Sequence, residues 1–165
     1  MRAVLISINK PHTDNIFSGD KKLEWRKKPL PEGLCYVYET KNKGGYGMII
    51  GEMYITGSKA VDTSWPMEAR IVNAGCVHPV TLRKYANNGT IYANFIKDAK
   101  RYDKPKPLRS FHKPCPYKLP DGSRMDVPCP CDKYTHEFDE ESGLICCTRR
   151  MKIPPQSWCY VEELK

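Results

Sequence analysis

The chain opens on Ala3-Val4-Leu5-Ile6-Ser7-Ile8, an apolar and largely β-branched run that predicts a buried strand. Pro11 then starts, and Gly19 stops, a helix of two turns, because proline has no N–H to lose at a helix start and glycine tolerates the left-handed backbone at a helix end. Leu23 to Lys28 alternates. Leu34 to Thr40 places Leu34, Tyr36 and Tyr38 on one face and Cys35, Val37 and Glu39 on the other, with Pro29 to Gly33 as the turn between the two runs. Lys43-Gly44-Gly45 forms a second turn before a long strand from Tyr46 to Ile55, in which Gly47 and Gly51 mark a bulge or a close backbone approach. Farther on, Pro79 starts a helix over Val80 to Ala86 that Asn87-Asn88-Gly89 ends. Ile91 to Ile96 reads as strand, since β-branched and aromatic residues dominate its start, and Ser157 to Val161 alternates Trp158 and Tyr160 against Cys159 and Val161. About half a dozen strands with two short helices predict an α+β fold built on a small mixed, mostly antiparallel barrel.

Composition narrows this to one core. With 165 residues and 40% hydrophobic content the chain has material for a single domain over 1–165. No apolar run approaches the roughly 18 residues of a membrane span, and Ala3 to Ile8 is shorter than the hydrophobic region of a signal peptide. The expectation is a cytoplasmic protein with no membrane partner. Lys and Arg number 27 against 19 Asp and Glu, a formal net charge of +8, which favours a polyanionic partner such as nucleic acid.

Charge is distributed unevenly. Residues 97–118 carry Lys97, Lys100, Arg101, Lys104, Lys106, Arg109, Lys113 and Lys118, interleaved with Tyr102, Phe111 and Tyr117, the mixture expected where cations follow a phosphate backbone and rings stack on bases. Taken alone, such a run is more often a solvated loop. Residues 119–148 are instead acidic and hold Cys129, Cys131, Cys146 and Cys147, so 112–150 reads as a cysteine-containing hairpin insertion in the host fold. Turns at Asp121-Gly122 and Glu141-Ser142-Gly143 would frame its two hairpins. Cys115, Cys129, Cys131 and Cys146 are the candidate ligands of a structural zinc, the only cofactor the sequence suggests. The spacing lacks paired Cys-x-x-Cys knuckles, and reduced, partly buried thiols are the favoured state. Cys35 and Cys159, inside apolar strands, read as core residues.

The segment Gly19-Asp20-Lys21-Lys22-Leu23-Glu24-Trp25-Arg26, following Leu5-Ile6-Ser7-Ile8-Asn9-Lys10-Pro11, resembles the ASCH family of the PUA-like superfamily. The matched pattern is Gly-x-Lys-x-x-Glu-x-Arg after a short helix, joined by the Leu34 to Thr40 strand, Ile50-Gly51-Glu52 and the ending Pro155-Gln156-Ser157-Trp158-Cys159-Tyr160-Val161. The resemblance implies a PUA-like barrel with a charged cleft that binds RNA or a nucleotide. Some ASCH proteins are thought to cleave RNA, and a branch of the superfamily acts as an amidohydrolase on acylated cytidine. An enzyme of either kind is the alternative function, with Lys21 and Glu24 as its catalytic candidates and His12 as a second proton carrier. The amidohydrolase pattern has a Thr where this chain has Glu24, and a carboxylate cannot take the place of that hydroxyl.

The residues give the motif a reading of their own. If 22–28 is extended, Lys22, Glu24, Arg26 and Lys28 share one face while Leu23 and Trp25 anchor the other, and Glu24 orients Arg26 for a phosphate or a base edge. The bland counterpart is an ion pair that stabilises the fold. The expected nucleic-acid contacts are Lys10, Lys21, Glu24, Arg26, Tyr38, Gln156 and Ser157.

Overall fold

The computed structural model describes residues 2–64 and 66–114, the backbone of 136–139 and 143–146, and residues 150–164. Six strands form one mixed sheet: β1 (Arg2–Ile8), β2 (Leu23–Arg26), β3 (Gly33–Glu39), β4 (Met48–Asp62), β5 (Thr90–Lys106) and, after the pair described below, β8 (Trp158–Glu162). Their order across the sheet is β2-β5-β4-β3-β1-β8. Only β1 and β3 run parallel; the other neighbours are antiparallel. The helices are α1 (His12–Ser18), α2 (Ala69–Ala74) and α3 (Pro79–Ala86).

The local signals fall where the chain needs them. Gly19 closes α1 in the left-handed region at φ 85°, and Asn87 does the same for α3 at φ 54°. Both faces of β3 are buried, as its alternation requires: Cys35 and Val37 pack with Val4, Ile6, Ile8 and Ile16, while Tyr36 and Tyr38 pack on the opposite side with Leu5, Phe111 and Val161. A third cluster joins Leu23 and Trp25 of β2 to Leu82 of α3 and Ile91 of β5. The helix α2 has no counterpart among the sequence expectations.

The expected barrel takes the form of a bent, open sheet. The register of β4 on β5 shifts between Ile49 and Gly51, between Glu52 and Tyr54, and between Ile55 and Ser58. Such irregularities bend a ribbon and increase its twist. A Cβ on Gly51 would lie 2.4 Å from the Lys100 carbonyl oxygen and 2.5 Å from the Phe17 ring, so glycine there permits the close approach. Backbone pairing nevertheless stops at β2 on one edge and β8 on the other. β2 is four residues long and runs toward Pro29, while Pro154 and Pro155 precede β8, so both edges are flanked by residues without an N–H to give.

His112 and Arg150 pair in an antiparallel bridge, and Met151 N–H donates to the Phe111 carbonyl at 2.8 Å, so the chain returns at 150 to the place it left at 112. Between these points β6 (His136–Asp139) and β7 (Gly143–Cys146) pair antiparallel, around the second of the two expected turns. The Asp121-Gly122 turn, Cys115, Cys129, Cys131, Cys147, Tyr117 and Lys118 lie outside the described residues. Among the described residues no group of three or more His, Cys, Asp or Glu side chains could hold a metal ion.

Candidate functional site

β2 carries the motif into the interior. Its alternation sends Leu23 and Trp25 into the cluster beneath α3 and leaves Glu24 and Arg26 on the other side. These charges are not displayed to solvent as a strand row would suggest: Lys21 is 2% exposed, Glu24 7% and Arg26 9%, while Lys22 and Lys28 are exposed. The row breaks because β2 spans only Leu23–Arg26, which leaves Lys22 and Lys28 outside it, while Lys21 enters from the turn after α1, where strand parity does not apply.

The three buried charges share one carboxylate. Lys21 Nζ lies 3.4 Å from Glu24 Oε2, and Arg26 Nη2 lies 3.0 Å from Glu24 Oε1. Lys21 Nζ also donates to the Gly75 carbonyl at 2.6 Å, which ties the motif to the residue just after α2. Arg26 reaches the opposite edge of the sheet: Nη2 donates to the Ser7 carbonyl of β1 at 2.8 Å and Nη1 to Ser157 Oγ, next to β8, at 3.3 Å. One guanidinium thereby spans the gap that the backbone ladder leaves open.

Asn94 of β5, fully buried opposite Glu24, fixes this strand. Its Nδ2 donates to the Glu24 carbonyl at 2.9 Å, and its Oδ1 accepts from Leu30 N–H at 2.7 Å and Ser58 Oγ at 2.6 Å. Sequence reasoning missed Asn94 and Gly75. An asparagine in the middle of an apolar strand is the signal that could have found the first.

Three buried polar atoms of the motif and α1 lack hydrogen-bond partners among the described residues: Arg26 Nε and His12 Nδ1 beside the charged cluster, and Trp25 Nε1 on the other side of β2. Burial, first, and the cations Lys21, Lys43 and Arg26 lower the His12 pKa, against a smaller upward pull from Glu24. The imidazole is therefore held neutral near pH 7. Lys21 and Arg26 together exceed Glu24 by one positive charge.

The other expected contacts are placed apart from one another. Ser157 touches Arg26, and Gln156 beside it is exposed. Lys10, partly exposed just before α1, lies 4.0 Å from Asp14 and 5.4 Å from the Tyr46 ring centre. Tyr38 is 6% exposed in the cluster on the opposite side of β3 from Cys35 and Val37, where burial pushes its phenol pKa up. Of the aromatic residues in the basic run, Phe111 is core, packed edge-on against Tyr36 at 4.8 Å, and the Tyr102 hydroxyl is bonded to Glu52. Lys97 to Lys106 are not loop but the second half of β5.

No family model and no curated protein matches the sequence. Solved structures do. An ASCH protein from Zymomonas mobilis superposes with a TM-score of 0.54 at 22% identity, over 64% of this chain and 73% of that one. A Tyr-to-Phe variant of that protein gives 0.54 at 21% identity over 64% and 76%, and a Ser-to-Ala variant 0.54 at 22% over 64% and 74%. The chain accordingly has an ASCH-like fold.

Proposed function

We propose that the protein binds RNA or a nucleotide in the cleft edged by Lys21, Glu24 and Arg26. The observation that carries this reading is the pair of unpartnered buried atoms, Arg26 Nε and His12 Nδ1, beside a cluster with one excess positive charge. Burying such atoms without a partner is costly; an incoming phosphate or base edge supplies an acceptor for Arg26 Nε, and a base edge, with both donors and acceptors, a partner for His12 Nδ1. The net charge of +8 supports a polyanionic ligand, and the likeness to an ASCH protein agrees with it. In the same reading 1–165 is one ASCH-like domain, and 112–150 is its insertion, entered and left at the His112–Arg150 bridge.

Titration with single-stranded RNA at several salt concentrations tests the binding. Affinity falls steeply with salt, and Arg26→Lys, which keeps the charge but loses the planar fork, weakens binding about tenfold. Binding that ignores salt, or no binding, sinks the proposal. A second reading, hydrolysis of RNA, is favoured by His12, a neutral imidazole among cations that would stabilise a developing phosphorane. RNA left intact by purified protein counts against it.

A further inference from the structure

A second arrangement lies outside the cleft, around the loop between β3 and β4. Glu39 is fully buried at the end of β3, and its carboxylate accepts from Thr13 Oγ1 at 2.6 Å and from the Tyr46 N–H at 2.9 Å. Glycines fix the backbone on either side of Tyr46. A Cβ on Gly45 would lie 1.9 Å from the Thr40 carbonyl oxygen, while Gly47 sits at φ +66° and donates its N–H to the Glu39 carbonyl at 3.0 Å. The loop is thus built to a definite shape, yet the ring it holds is 61% exposed. A large ring held in water by a buried carboxylate and two constrained glycines serves no packing purpose.

Cations lie on and beside this loop, and one of them, Arg101, is also 3.9 Å from the Glu39 carboxylate and over the Phe17 ring. Lys10 lies over the Tyr46 ring, Lys41 and Lys43 are exposed on the same loop, and Arg101 of β5 reaches Asp14 of α1 at 3.0 Å. These four outnumber the two carboxylates among them, Asp14 and Glu39. Thr13, next to His12 on α1, is the donor to Glu39, so the loop is fastened to the helix that carries His12.

We propose that this surface is a track for single-stranded nucleic acid continuing outward from the cleft, with Tyr46 as a stacking platform and Lys10, Lys43 and Arg101 as phosphate contacts. An exposed ring beside cations is what a base and its phosphate need together, and stacking on a ring tolerates any base. An acidic peptide would use the cations alone. The proposal rests on the cleft reading for its starting point but involves separate residues.

Fluorescence titrations with labelled uridine monophosphate and labelled hexauridylate test it. In the wild type the hexamer binds more tightly than the monomer. Tyr46→Ala, a surface change that leaves the fold intact, lowers hexamer affinity roughly 5- to 100-fold, and Tyr46→Trp restores it. Arg101→Ala makes hexamer binding less dependent on salt. Equal hexamer affinity in the wild type and Tyr46→Ala overturns the track. A polyglutamate peptide whose binding falls equally in Tyr46→Ala overturns the assignment to nucleic acid. If Arg26→Lys leaves monomer binding unchanged while Tyr46→Ala still weakens the hexamer, the cleft reading fails and the track stands.

Discussion

At the scale of single residues, Lys21, Glu24 and Arg26 do two things at once. Buried charges in one network cost a great deal when one member is removed, because the others keep their desolvation without their partner. Lys21→Met leaves the Gly75 carbonyl and one Glu24 oxygen without a donor, and urea unfolding is expected to show a loss of about 3–5 kcal/mol. Lys22→Met, at an exposed site, changes stability by no more than about 0.5 kcal/mol. Equal effects for the two would mean that the network is not holding the fold. His12 gives a pH dependence. Its folded pKa lies below the ordinary 6.5, so the unfolded chain takes up its proton first as pH falls. The contribution is complete above pH 6.5 and lost as pH drops toward the folded value. The free energy of unfolding, measured from pH 7.5 down to 5, should therefore decline less in His12→Gln than in the wild type. The Gly-x-Lys-x-x-Glu-x-Arg spacing made these residues visible in the sequence, but their burial was not visible, because alternation says which side a residue takes and not what covers that side.

Elements with sharp punctuation were legible and the rest were not. Pro11 and Gly19 bound α1, Pro79 and Asn87 bound α3, and the alternation of Leu34 to Thr40 assigns both faces of β3 correctly. α2 has six residues, a single buried side chain and no side-chain cap, so nothing announces it. The far half of β5 was hidden for a different reason. Residues 97–106 run along an edge of the sheet, past the end of β2 and paired with β4 alone, with most side chains exposed or half-exposed, and such a stretch keeps no hydrophobic period. The short α2 still matters to the site, since Gly75 follows it. A Cβ on Gly75 would lie 2.0 Å from Trp25 Nε1. Gly75→Ala is expected to shift tryptophan fluorescence and, under the proposed function, to weaken nucleotide binding by displacing the carbonyl that holds Lys21; an unchanged spectrum with full binding would show that α2 is not a support of the proposed cleft.

For the molecule as a whole, the sequence pointed to a closed barrel, and the prolines at 29, 154 and 155 are the part of that sequence which opposes closure. The join between the first and last edges is made by Arg26 with Ser7 and Ser157. Hydrogen exchange in Arg26→Lys should accelerate at β8 while the β3–β4 pairing stays protected; uniform acceleration, or none, would mean that the guanidinium does not hold the edges together.

Every other line across the sheet is crossed by a row of backbone amides, and separating two strands there breaks many bonds together. Along the line that Arg26 crosses, no such row joins β2 to β8 among the described residues, and the guanidinium supplies hydrogen bonds in its place. A ligand that drew Arg26 away from Ser7 and Ser157 would therefore loosen the join between the two edges of the sheet.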